Sequence, residues 1–186
     1  MLITTADQYE GSLPQLLHEY KYLPELTASL QQAGREPFSQ EMINEIVLWK
    51  HNRYVRVPPE LNRRIDELAR LAPGNHRQAE GVLKDLLQVN GVRLAVASTI
   101  LRFKNPSVFQ ILDRHAYRAV YGKLFRDTTT NLSRRVNIYF EYLDRLIDLC
   151  QSRDLEFESI DRILYVFDKA VNPPLTQRAS NSNSRG

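Results

Sequence analysis

The chain has 186 residues, 42% apolar and 25% charged, with 7 Gly and 9 Pro. That is long enough to bury a sizeable core, and the composition excludes collagen-like, low-complexity and wholly disordered classes. The formal charge of +3 names no partner alone, and a lone cysteine, Cys150, excludes an internal disulfide, a four-cysteine zinc site and an all-cysteine iron–sulfur cluster.

Residues 1–11 carry Asp7 and Glu10 and show neither a basic n-region nor an apolar h-region, so no secretory signal is expected. No apolar run approaches the roughly 20 residues that cross a bilayer, and an intracellular location, cytoplasmic or nucleoid or nuclear, is the expectation. Helical periodicity then dominates, with no sustained strand-type alternation, which predicts an all-α protein. A first helical region is expected over residues 12–33, interrupted by Pro14 and Pro24 and ending at Gly34. A second opens after Pro37, with Ser39 as its cap and Phe38 stapled onto Ile43, and runs to about Arg53. Pro58-Pro59 begin a third, whose face carries Leu61, Ile65, Leu68 and Leu71 and which stops before Pro73-Gly74.

Two helical patterns over residues 79–89 and 92–103 are separated only by the turn Asn90-Gly91, which predicts a helix hairpin. After Asn105-Pro106 the apolar run from Val108 to Leu112 leads to Asp113 and a compact helix ending near Gly122. Long helices over residues 132–149 and 157–171 follow. Residues 1–171 read as one helical domain, and the Pro- and Ser/Asn-rich residues 172–186 as a disordered tail.

Charge is unevenly spread. Between Arg102 and Arg135 the basic residues outnumber the acids Asp113 and Asp127, and after Val136 acids prevail. A basic middle permits a phosphate-binding face without establishing one. In the hairpin, apolar anchors flank Gly91, which is free to take positive φ, and the small pair Ala97-Ser98 lets the helices approach closely. The first-turn amides of the second helix are suited to a phosphate oxygen. This segment resembles the helix-hairpin-helix DNA-binding element.

Further on stands Asp113-Arg114-His115-Ala116-Tyr117-Arg118, an Asp-x-His-x-x-Arg start to a helix. Hairpin and motif together resemble the core of the helix-hairpin-helix DNA glycosylase superfamily, over residues 79–122. The resemblance implies a two-lobed helical fold and double-stranded DNA as partner. It implies DNA contacts by Asn90, Gly91, Val92, Arg93, Ala95, His115 and Arg118, a flipped nucleotide, and Asp113 as the catalytic aspartate acting on its sugar. No cofactor and no metal are expected. Judged without the hairpin, Asp113 reads as a plain N-cap, and Arg118 is suited to either a carboxylate or a phosphate.

Two positions depart from the family pattern. Arg93 stands where a second glycine is usual, and Ala95 where bifunctional members carry the lysine that forms an imine with DNA. Lys50, one turn beyond the apolar stripe Ile43, Ile46 and Val47, is the candidate substitute. A buried face would depress its pKa and sharpen its amine as a nucleophile, whereas a solvent-reaching ammonium would do neither. The leading functional reading is a monofunctional DNA glycosylase of base excision repair, a hydrolase. A non-catalytic helix-hairpin-helix DNA-binding module is the alternative, and a helical protein-interaction domain with no nucleic-acid role is a third.

Overall fold

A computed structural model describes residues 39–50 and 54–175, together with residues 25 and 27–29; at residues 49 and 50 it describes the backbone alone. Among the described residues every regular element is helical and there is no strand, as the periodicity predicts. The expected staple of Phe38 on Ile43, most of the first helical region and residues 176–186 lie outside the described residues.

The chain divides into two compact units, residues 1–54 and 55–186. In the first, helix α1 (Gln40–Lys50) starts where expected, with Ser39 Oγ accepting from the Met42 N–H at 3.2 Å. Its apolar stripe is not a buried face: Ile43 and Val47 are exposed and Ile46 is half-buried. Periodicity locates such a stripe, but burial depends on whether another surface covers it.

The second unit begins its helices at Pro59, whose fixed φ and missing N–H suit a first helical position. Helix α2 (Pro59–Glu67) tightens into a 3-10 turn (Leu68–Arg70), and another 3-10 turn (His76–Ala79) leads into α3 (Glu80–Gln88). Then come α4 (Leu94–Lys104), α5 (Arg114–Tyr121), α6 (Leu132–Arg153), a 3-10 turn (Phe157–Ser159) and α7 (Ile160–Val171). Helix α6 outruns its expected end at Leu149 by one turn. Gln151, Ser152 and Arg153 are all exposed there, so the apolar period falls silent while the backbone continues helical to Asp154, which closes it at φ 52°.

One core holds this unit. Leu83 and Leu86 of α3, Leu94 and Leu101 of α4, and Tyr139, Phe140, Leu143 and Leu146 of α6 are essentially sealed from solvent. Phe109 and Leu112 join them from the extended segment before α5. Asn105, beyond the end of α4, donates from Nδ2 to the carbonyls of Leu68 and Leu71 at 2.9 and 3.0 Å, which fixes that segment's path. Helix α5 packs chiefly on α7, and α6 meets α3, α4 and α5. The segment carrying Asp113 therefore lies among core helices.

Candidate functional site

Residues 89–93 link α3 to α4. The Val92 N–H donates to the Val89 carbonyl at 3.0 Å, and Val92 is 4% exposed, so this residue pins the turn to the core while Asn90 and Gly91 face solvent. Gly91 has φ +82°, as the sequence predicts for a tight link. An added Cβ would meet only Val55 Cγ2, at an ordinary 3.5 Å. Gly91→Ala should therefore cost about 1–2 kcal/mol through backbone strain alone, measured by denaturant unfolding. An unchanged midpoint would mean that the link tolerates left-handed backbone without glycine.

Asp113 stands directly before α5, and its Oδ1 accepts the Ala116 N–H at 2.7 Å. The three residues ahead of it are each held. The Tyr139 hydroxyl donates to the Gln110 carbonyl at 3.0 Å and the Tyr142 hydroxyl to the Ile111 carbonyl at 2.9 Å. Ser98 Oγ of α4 accepts the Leu112 N–H at 3.0 Å and itself donates to the Ala95 carbonyl at 3.0 Å. Burial pushes both phenols well above their ordinary pKa, which keeps them protonated donors. Ser98→Ala would leave the buried Leu112 N–H without its acceptor, and about 1–3 kcal/mol of lost stability in thermal melts is the expected result. Loss within error would show that water or a backbone shift supplies a substitute.

Helix α4 therefore grips the segment that carries Asp113. Sequence reasoning saw Ala97-Ser98 only as a small pair permitting close approach. The hydroxyl has a second duty, which no local pattern announces.

Other predicted residues find intramolecular partners. The N–H of Leu94, first in α4, faces Asp127 Oδ2 at 3.4 Å, and Arg93 Nη1 donates to the Asp127 carbonyl at 3.2 Å. Asp127 is in turn held by Arg135, with Nε to Oδ1 at 3.1 Å and Nη2 to Oδ2 at 2.9 Å. Ala95 is exposed. Arg118 meets Asp168 of α7 through Nε to Oδ1 at 2.7 Å and Nη2 to Oδ2 at 2.8 Å. His115 Nδ1 lies 2.7 Å from Asp168 Oδ2, and Asn172 Nδ2 donates to Oδ1 at 2.8 Å. Of the two partners the sequence left open for Arg118, a carboxylate is present.

The Asp168 carboxylate is fully buried, and the Arg118 guanidinium, aided by His115 and Asn172, holds its carboxyl well below the usual range against the opposing effect of burial. Asp168 escaped sequence reasoning, although a signal existed. It falls four residues after Leu164 on the face that also buries Ile160 and Asp161, and a charge in such a stripe demands a partner.

The side chain of Lys50 lies outside the described residues. Tyr139, Phe140 and Tyr142 are buried, while Tyr117 and Tyr121 are half-buried with ring centroids 4.5 Å apart. Among the described residues no group of three or more His, Cys, Asp or Glu is placed to hold a metal, and no helix is long and apolar enough to cross a membrane. Comparisons with family models, with curated proteins and with solved structures return no match to this chain.

Proposed function

We propose that this protein is a DNA glycosylase that flips a damaged or modified base from duplex DNA and hydrolyses its N-glycosidic bond. The observation that carries the reading is the hold on three successive residues before Asp113, by Tyr139, Tyr142 and Ser98. These bonds satisfy buried backbone groups and at the same time fix the position of Asp113, which suits a carboxylate that must meet a reacting sugar, because small misplacements cost large factors in rate.

In this reading Oδ1 of Asp113 stays on the Ala116 N–H and Oδ2 faces the deoxyribose. As the bond to the base breaks, positive charge develops on the sugar, and the fixed carboxylate stabilises it more than mobile water would. Water then adds to the sugar carbon. Its hydroxide forms the new C–O bond, its proton passes through Asp113, and the departing base takes up a proton, leaving an abasic site and the free base. Ala95 offers no amine at the turn, so water is the expected nucleophile. Borohydride added during turnover should trap no protein–DNA adduct; a trapped adduct lost in Lys50→Gln would assign that role to Lys50 instead.

The reading is tested with a panel of duplexes each bearing one lesion, followed by alkaline cleavage at abasic sites. At least one duplex should be cut. A specific observation favours the alternative of a non-catalytic DNA-binding module: Asp127 on the Leu94 N–H and Asp113 on the Ala116 N–H both serve the fold without any ligand. Binding to every duplex with no cleavage of any would select that alternative.

A further inference from the structure

We propose that Arg93, Arg114 and Arg126 form one pocket for successive phosphates of the DNA backbone, beside the nucleotide presented to Asp113; the assignment rests on the DNA reading above. These arginines come from three separate segments, the α3–α4 link, the start of α5 and the loop after α5, yet they line a single cavity of about 540 Å³ with Asp127, Thr128 and the apolar Leu124, Phe125 and Leu175. Arg114 directly follows Asp113, which sets the cavity at the edge of the candidate site.

Charge decides what such a cavity takes. The carboxylate at its wall, Asp127, already has its charge matched by two hydrogen bonds from Arg135. Among the described residues neither Arg114 nor Arg126 has an ion-pair or hydrogen-bond partner, and Arg93 donates only to a backbone carbonyl. Three guanidinium groups around one concavity repel one another and present planar donor forks suited to phosphate oxygens. A single phosphate group would leave positive charge over. Successive phosphates along a strand would not, which favours a polynucleotide backbone over a free or terminal phosphate.

The experiment uses the full chain and an undamaged duplex, with affinity followed by fluorescence anisotropy across a salt series. Each phosphate contact contributes about 0.9 to the slope of log affinity against log salt. Arg114→Gln/Arg126→Gln should therefore lower the slope by about 2 and weaken binding about tenfold or more per arginine removed. The control Lys123→Gln removes a nearby exposed charge outside the cavity and should leave both unchanged. Because both arginines are exposed and unpartnered, the double variant should keep the circular dichroism of the parent chain.

Wild-type affinity and slope in a folded Arg114→Gln/Arg126→Gln chain would overturn the pocket. Equal losses in Lys123→Gln would overturn it as well, reducing it to general surface charge. Dependence on a 5′-phosphate, or competition by inorganic phosphate at matched ionic strength, would replace the backbone with a terminal or free phosphate. Binding with the expected slope losses but no excision of any lesion would uphold the pocket and remove the glycosylase reading, whereas excision with an unaltered slope would do the reverse.

Discussion

Asp113→Asn should lose base excision by about 10²–10³-fold while binding duplex DNA as tightly as the parent chain. The asparagine oxygen can still accept the Ala116 N–H, so the start of α5 and the hold on residues 110–112 survive. What disappears is the negative charge that steadies a cationic sugar and the group that takes the proton from water. Single-turnover cleavage of a duplex found active in the lesion panel measures the loss, and anisotropy on the same duplex measures affinity. Asp113→Ala separates the two duties, because it removes the cap as well and should cost about 1 kcal/mol in stability that the asparagine variant keeps. Excision by Asp113→Asn at the wild-type rate would reduce the residue to a helix cap.

Asp168→Asn should be strongly destabilising. Breaking a buried ion pair leaves its partner charge uncompensated, and about 3 kcal/mol is expected because Arg118 keeps some access to solvent. That corresponds to a fall of roughly 10 °C in the melting midpoint. Removing both charges together, as Asp168→Leu/Arg118→Met, should recover part of the loss, since neither is then left unpaired.

The pH dependence has a definite sign. The folded carboxyl is held well below its unfolded value of about 3.9, so the native state binds fewer protons than the unfolded one. Its contribution is complete above the unfolded pKa and is lost as pH falls below about 4. The gap between parent and Asp168→Asn in melting experiments should thus narrow as the pH falls below 4. A gap independent of acid would show that Asp168 acts by shape alone.

What the sequence determined by itself is what neighbouring residues decide. Proline at a helix start, the left-handed glycine at 91, the Ser39 and Asp113 caps and the 3.6-residue period act within one or two turns, so the helices and the link between α3 and α4 were legible without the fold. So was the placement of Asp113 directly before a helix. The tertiary structure alone decided which polar groups meet. Arg118 and His115 find Asp168 some fifty residues away, Asp127 reaches the first amide of α4, and Tyr139, Tyr142 and Ser98 hold the approach to Asp113 from two other helices. It also left Ile43 and Val47 exposed where periodicity suggested a buried stripe. The reason is physical: backbone propensity is spent locally, whereas a hydrogen bond or ion pair is chosen by whichever donor the packing of distant helices brings within about 3 Å.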